Sequence, residues 1–358
     1  MLLTFNVKHN LDLSDELEKG RKVAEVAIRS SKLLSSKDVS HFSLKSMISN
    51  QIIRKYGRNK TIKQVRKIVL PVPGQGIVHN GNKIRIPCLK LELSFYPRHE
   101  IVGIKYAEFD GTYAHVTCEV RELSEYVPEC TIGVDLNTTG HMAVAACPET
   151  GKVMKLGKRC NHIRKTAHYR RRKAQKKAAQ KKNHKFREVK KIGHKEKNRI
   201  RDENRKIAKD IVTKAKEQKA VIVLEDLSSI RKARTFTRPQ RRSLYSWAFY
   251  QLQGFIEDKA QLLGVPVRYV DPRYTSQKCS KCSCIGERDG KQFKCPLCGH
   301  ADHADANAAM NIALRGRSYA ERVAYEGYTD TPKGATLYME ELLFGYVPAT
   351  SRTSRIYT

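Results

Sequence analysis

Residues 279–313 read CSKCSCIGERDGKQFKCPLCGHADHADANAAMNIA and join a cysteine-rich segment directly to one rich in Asp and Ala. Two Cys-x2-Cys pairs can supply four thiolates in tetrahedral geometry, each pair on a tight turn. These ligands are Cys279, Cys282, Cys295 and Cys298. Because four cysteines leave no coordination position open, the spacing predicts one structural Zn²⁺ ion rather than a catalytic one.

Other side chains near the two pairs are alternative ligands. Cys284 could compete with Cys282, and His300 or His303 could replace one of the cysteines, although the spacing favours the four cysteines. A helix is predicted to begin near residue 304, directly after the cysteines. Zinc binding is therefore expected to fix how the chain enters the helix that carries Asp305.

The composition predicts a globular protein that binds nucleic acid. Of 358 residues, 40% are hydrophobic, and 69 Lys and Arg outnumber 36 Asp and Glu, which gives a net charge of +33. So large an excess of positive charge is typical of proteins that bind a polyanion. No apolar run is long enough for a membrane span, and no leader is evident at the start, so we expect a cytoplasmic protein with no membrane partner. The five remaining cysteines are expected to be ordinary reduced thiols.

Patterning divides the chain into four regions. Residues 1–125 predict a small β-barrel with a short helical segment at about 12–65, including a strand over 3–7 and a helix over 13–35. Residues 126–275 together with 301–315 predict an α/β core, into which residues 276–300 insert as a zinc ribbon. Residues 316–358 form a tail with no strong pattern.

The core region predicts a ribonuclease-H-like fold of the α+β kind. Its order is three antiparallel strands, basic helices, a buried strand over 220–227, a helix over 243–263, a strand over 265–272 and a last helix. Acidic residues stand at the end of the first strand, at the end of the fourth and in the last helix: Asp135, Glu225 and Asp305. Three neighbouring carboxylates repel one another and favour a hard cation such as Mg²⁺ or Mn²⁺. Two such ions support phosphodiester hydrolysis.

Each acid taken alone could instead merely cap a helix or end a strand. Asp226 follows Glu225 and should point to the opposite face of its strand. Asp302 precedes Asp305 by nearly one helical turn and could be a cap or a supporting group.

Two basic segments are predicted to bind the nucleic-acid backbone. Residues 158–206 contain 22 Lys and Arg but only four acids, and they predict two helices with a break near Gly193. The loop over 228–242 is also basic. The candidate contacts are Arg164, Lys165, Tyr169, Arg170, Arg171, Arg172, Lys173, Lys176, Lys177, Arg231, Arg234, Arg238, Arg241 and Arg242. Tyr169 could stack on a base, or it could be an ordinary packed tyrosine.

Five motifs in order resemble those of the TnpB family, which insertion sequences encode: GVDLN (133–137), VLEDLSSIR (223–231), YTSQKCSKC (274–282), CPLCGH (295–300) and ADANAAMNIA (304–313). The resemblance is strong over about 130–315 and loose over the first 125 residues. It implies RNA-guided DNA cleavage by a RuvC-like domain, with Asp135, Glu225 and Asp305 as the catalytic acids. It also implies an element-derived guide RNA and a double-stranded DNA target with a short flanking motif.

Two other functions remain open at this stage. A conventional transposase would use the same kind of triad on the ends of its own element, whereas a cleavage-inactive repressor would only bind DNA. An element-derived RNA that co-purifies with the chain would favour the RNA-guided reading over a transposase. The sequence does not predict the oligomeric state.

Overall fold

The computed structural model describes residues 1–59, 61–137, 140–180, 186–227 and 249–326. The chain divides into two compact units, residues 1–122 and 123–358. This division lies close to the domain boundary expected near residue 125.

The first unit contains seven strands and two α-helices among its described residues. The strands are β1 (Leu2–Lys8), β2 (Leu70–Pro73), β3 (Val78–Asn80), β4 (Lys83–Ile86), β5 (Leu91–Ser94), β6 (Ile101–Phe109) and β7 (Tyr113–Val120), and the helices are α1 (Ser14–Arg29) and α2 (Ser46–Gly57). The strands pair antiparallel as a four-stranded sheet, β1-β7-β6-β2, and a three-stranded sheet, β3-β4-β5. The strands thus form two hydrogen-bonded sheets, and the small β-barrel expected from the sequence stays a prediction.

The predicted helix over 13–35 was too long at its carboxyl end. The helix stops at Arg29, where Ser30 turns to extended backbone and its hydroxyl donates a hydrogen bond to the Lys32 carbonyl at 3.0 Å. Serine side chains compete with helical hydrogen bonding in this way. Leu33, which had been assigned to the helix, is 91% exposed. Local polar chemistry thus overrode an apolar periodicity.

The second unit is built on a five-stranded sheet. Its strands are β8 (Cys130–Leu136), β9 (Ala143–Ala146), β10 (Val153–Leu156), β11 (Ala220–Glu225) and β12 (Val267–Val270). They lie in the order β10-β9-β8-β11-β12, with the first three antiparallel and with β11 parallel to both β8 and β12. The strands and their order along the chain match those predicted. β8 and β11 are almost continuously buried, as expected for strands covered on both faces.

The described residues of this unit form four helices beside the sheet: α3 (Lys158–Gln180), α4 (Arg187–Glu217), α5 (Phe249–Leu263) and α6 (Ala304–Glu326). Helix α4 buries a long apolar face that includes Ile200, Ile207 and Ile211. The break predicted near Gly193 is wrong, because α4 runs through this residue. One glycine costs a helix only about 1 kcal/mol, which the burial of that long apolar face readily outweighs. The predicted start of α5 at 243 lies outside the described residues.

The last helix packs unusually close to the sheet. A β-carbon added to Gly133 on β8 would lie 2.2 Å from the carbonyl oxygen of Ala309 and 2.3 Å from the amide nitrogen of Ala313. Glycine on the strand and alanine on the helix therefore let α6 lie directly on β8. The helix continues to Glu326, beyond the limit of 315 expected for the core.

The inserted segment forms a small antiparallel sheet of its own, with β13 (Glu287–Asp289), β14 (Gln292–Lys294) and β15 (Ala301–His303) in that order. The ribbon therefore extends three residues past the predicted limit of 300. None of the helices in the described ranges is long and apolar enough to cross a membrane.

Candidate active site and cysteine cluster

The topology of the sheet brings Asp135 and Glu225 together. β8 and β11 are parallel neighbours in which Val134 lies opposite Leu224, so the acid that follows each of these residues leaves the same edge of the sheet. Asp305 is the second residue of α6, the helix that packs on β8, and it is fully buried. Burial, followed by the charges of Glu225 and Asp305, raises the pKa of Asp135 to about 7. The three predicted acids thus share one electrostatic environment.

The carboxylate oxygens nevertheless do not form a ready-made cage for a metal ion. Within the described parts of the chain, only a group of four cysteines places three or more potential ligand atoms within 4.8 Å of one another. The oxygen ligands suit Mg²⁺ or Mn²⁺ chemically, and burial together with the charges of Glu225 and Asp305 raises the pKa of Asp135, as expected where carboxylates gather. The residues therefore fit a divalent cation after a local adjustment of side chains.

Asp305 is held by two cations that sequence reasoning missed. Lys291 Nζ lies 2.6 Å from one carboxylate oxygen, and Arg288 Nη2 lies 3.2 Å from the other. Both cations belong to the β13–β14 hairpin. The signal that could have been used is the pair of cations, three residues apart, around the Asp-Gly turn of that hairpin.

The other two acids also have defined partners. The Asn137 amide donates a hydrogen bond to Asp135 Oδ2 at 2.8 Å. The hydroxyl of Thr275, a buried residue, donates to Glu225 Oε1 at 2.5 Å. Burial raises the pKa of Glu225, against the opposing effects of the Thr275 hydrogen bond and the Arg315 charge. These contacts orient each carboxylate toward a fixed position.

The structure favours Asp305 over Asp302 as the third acid. Asp302 lies on β15 rather than one helical turn before Asp305, so the predicted helical relation is wrong. Its side chain is exposed and accepts a hydrogen bond from the His303 amide at 2.6 Å. Asp305, in contrast, is close enough to Asp135 to raise the pKa of that residue.

The raised pKa of Asp135 predicts a pH-dependent stability in the absence of divalent ions. An unfolded chain releases this proton near pH 3.8, whereas the folded chain keeps it until about pH 7. The folded state therefore binds more protons across this window, and its stability should fall as the pH rises from about 4 to about 7. Asp135→Asn should remove about 2–4 kcal/mol of this pH-dependent decline in the free energy of unfolding. Urea unfolding at pH 4 and pH 8 in a chelator measures it, and equal pH dependence in both proteins would contradict the assignment.

The four predicted cysteines come together as one cluster. Their Sγ atoms all lie within 4.8 Å of one another, with Cys279 and Cys298 at 3.6 Å and Cys282 and Cys295 at 3.5 Å. A hydrogen bond from the Cys298 backbone N–H has the largest effect on the Cys295 thiol and lowers its pKa to about 7. A thiolate is the form that binds metal.

The alternative ligands lie outside this cluster. Cys284 packs against it, and its backbone carbonyl accepts a hydrogen bond from the Cys279 N–H at 2.8 Å, but its sulfur is not one of the four. His300 contributes its backbone carbonyl to the Cys295 N–H at 2.8 Å. The geometry thus agrees with the spacing argument.

Two asparagines of α6 connect the cluster to the acids. Asn307 accepts a hydrogen bond from the Ser280 amide at 2.9 Å and donates one to the Lys278 carbonyl at 2.7 Å. Asn311 donates to the carbonyls of Thr275 and Lys278 at 2.8 and 2.7 Å. The first cysteine turn and the helix that carries Asp305 are therefore fixed to each other.

The basic helices present most of their predicted contacts to solvent. On α3 the exposed residues are Lys165, Tyr169, Arg170, Arg172, Lys173, Lys176 and Lys177. Tyr169 is 68% exposed, so it is not packed in the core and is free to stack on a base. Arg171 forms an ion pair with Glu196 of α4, and Arg164 is half-buried, so both contribute to packing of the helix pair. Arg231, Arg234, Arg238, Arg241 and Arg242 lie outside the described residues.

Part of this chain is similar in sequence to known proteins. Residues 249–312 match the family model of the Cas12f1-like TNB domain. The CRISPR-associated endodeoxyribonuclease Cas12f1 of Sulfoacidibacillus thermotolerans is 43% identical over 115 residues, which cover 31% of this chain and 26% of that protein. TnpB-like protein MJ0751 of Methanocaldococcus jannaschii is 35% identical over 126 residues, which cover 35% of this chain and 45% of that protein. The matches thus span less than half of each relative.

Solved structures show the same fold at low identity. A cryo-EM structure of a Cas12f1–sgRNA–target DNA complex superposes with a TM-score of 0.55 and 16% identity, over 84% of this chain and 81% of that one. This chain is thus similar in part of its sequence to Cas12f1 and TnpB-like proteins, and it shares the fold of a Cas12f1 structure.

Proposed function

We propose that this chain is an RNA-guided DNA endonuclease of a transposable element, and that a RuvC-like core with Asp135, Glu225 and Asp305 hydrolyses the phosphodiester bond. The observation that carries this proposal is that Asp135 and Glu225 leave the same edge of the sheet and that burial, with the charges of Glu225 and Asp305, raises the pKa of Asp135. In the sheet, β8, β9 and β10 are antiparallel, and β11 is parallel to both β8 and β12. This arrangement supports the ribonuclease-H-like assignment. The relatives that are named endodeoxyribonucleases support the reaction class.

Different residues of the chain would have different roles in this reaction. Magnesium or manganese ions bound by the three acids would supply an activated water and stabilise the leaving oxygen. Asn137 and Thr275 hold the carboxylates of Asp135 and Glu225 in place. The four clustered cysteines would hold one structural Zn²⁺, whose role is to fix the ribbon against the start of α6.

Exposed cations of α3 would bind the backbones of a guide RNA and its DNA target. The side chains of Arg170, Arg172 and Lys173 project from one turn of a helix whose described residues include no acid. Such a surface binds phosphates without reading sequence. Base pairing with the guide would then select the target, and the protein would read only a short flanking motif.

Sequencing the RNA that co-purifies with the chain, followed by cleavage assays with a matching DNA duplex and Mg²⁺, tests the proposal. We expect one element-derived RNA and guide-dependent cutting. Specific binding to bare element ends without RNA would favour the conventional transposase. Guide-dependent binding without cutting by the unaltered chain would favour the repressor, which the presence of all three acids disfavours.

Replacing Arg170, Arg172 and Lys173 together with Ala should weaken binding to nucleic acids of different sequence about equally. The slope of log affinity against log salt should fall by about 0.7–0.9 for each lost phosphate contact. Filter binding at several salt concentrations measures both effects. Arg171→Ala is the matched control, since this side chain is already paired with Glu196 and should affect stability more than the slope. A changed sequence preference with an unchanged slope would contradict the phosphate role.

A further inference from the structure

The turn between β13 and β14 lies over the start of α6. Asp289 pairs with Gln292, so Gly290 and Lys291 form a two-residue hairpin loop, and Gly290 has a positive φ of 57°. The Lys291 carbonyl accepts a hydrogen bond from the Ala304 N–H at 2.9 Å. The backbone of the loop is thus anchored beside Asp305, and the Lys291 side chain can move without it.

Burial of the ion pair is asymmetric. Asp305 is 0% exposed, whereas the side chains of Lys291 and Arg288 are 37% and 34% exposed. A buried carboxylate is strongly unfavourable without a partner. The cations can leave toward solvent, but the acid cannot. When Lys291 departs, Asp305 keeps only the longer Arg288 contact unless another cation takes the place of the lysine.

The Lys291 ammonium also lies toward the first acid. A β-carbon placed on Gly140, in the turn that follows β8, would be 3.5 Å from Lys291 Cε and 3.8 Å from Nζ. Lys291 therefore extends from the ribbon toward the end of the strand that carries Asp135. This is the region that a divalent ion shared by Asp135 and Asp305 would enter.

We propose that Lys291, supported by Arg288, is a tethered counter-cation that holds Asp305 in the metal-free chain, so that a divalent ion binds this carboxylate only when the lysine side chain leaves. Two cations cannot share the same carboxylate oxygen without strong repulsion. A lysine suits this role because its ammonium is a compact charge on a flexible stem. Arg288 is the weaker contact at 3.2 Å, and its Nε is also bonded to the Gly290 carbonyl at 3.1 Å.

This inference rests on the proposed function only in taking the three acids as the metal site, and metal binding can be measured without cleavage. Mn²⁺ is titrated into the zinc-loaded full chain, freed of nucleic acid, and the free ion is followed by electron paramagnetic resonance. Lys291→Met should bind Mn²⁺ about tenfold more tightly than the unaltered chain, because a competing buried ion pair has been removed. Lys291→Arg should restore the weaker binding, and Lys291→Met combined with Asp305→Asn should lose the gain.

Lys294→Met is the matched control, since it removes the same charge from an exposed position on β14 and should leave the affinity unchanged. Equal affinity in Lys291→Met and the unaltered chain, or weaker binding in Lys291→Met, would overturn the inference while leaving the metal site intact. Equal gains in Mn²⁺ affinity from Lys294→Met and Lys291→Met would show that the effect comes from net charge alone. That result would also overturn the inference. Absence of Mn²⁺ binding in every variant would overturn both the inference and the proposed metal-dependent nuclease.

Discussion

Asp135→Asn, Glu225→Gln and Asp305→Asn should each abolish cleavage of a guide-matched DNA, with losses on the order of 10³-fold or more and no additivity when they are combined. Metal-assisted hydrolysis needs all the carboxylate ligands at once, so removing one also removes most of the catalytic effect of the others. Binding of the guide and the target should survive, since the exposed cations of α3 are untouched. Cleavage and gel-shift assays on the same RNA-loaded preparations measure the two activities separately.

The chain offers matched controls for this experiment. Asp302→Asn and Asp226→Asn remove the same charge from positions three residues before Asp305 and directly after Glu225. Both should retain cutting within a few fold. If Asp302→Asn loses cutting while Asp305→Asn retains it, the third acid is misassigned. If all three principal variants still cut, the nuclease proposal fails.

Cys295→Ser should release the metal of the ribbon and unfold the segment around it. Cys295 is fully buried at the centre of the cluster, and the ribbon's small core consists largely of cysteines with Phe293 and Ala304. So small an apolar core cannot fold without the metal, whose binding energy is folding energy. We expect about one zinc per unaltered chain and much less in the variant, and a lower melting temperature for the second unit. Metal analysis and thermal unfolding give these values.

Cys284→Ser provides the comparison for the zinc site. It changes the same atom in a residue that packs beside the cluster but does not belong to it, so zinc should be retained. Loss of zinc in this variant with retention in Cys282→Ser would reverse the ligand assignment. Because Asn307 and Asn311 bond the first cysteine turn to α6, Cys295→Ser should also reduce cleavage. That reduction would come from displacement of Asp305, because Cys295 itself takes no part in the reaction.

Strong local patterns made much of the fold predictable. The Cys-x2-Cys spacing identified the four clustered sulfurs, because tetrahedral coordination by two tight turns leaves few other arrangements. The continuous apolar runs that end in Asp135 and Glu225 identified two strands, and the structure shows that they are parallel neighbours. Two helix boundaries were wrong for different reasons. Helix α1 ended before Leu33 because the Ser30 side chain bonds to the backbone, and α4 passed through Gly193 because its apolar face is buried.

By itself, the sequence determined which residues could carry the chemistry: three acids on separate elements, four cysteines in two pairs and a dense run of cations. Only the tertiary structure decided which groups surround the acids. Thr275 and Lys291 are 50 and 14 residues from the acids they contact, and no periodicity relates partners that hairpin and crossover geometry bring together. Burial also depends on the whole fold. The raised pKa of Asp135 and the ion pair that holds Asp305 therefore arise only when the ribbon, the helix and the sheet have assembled.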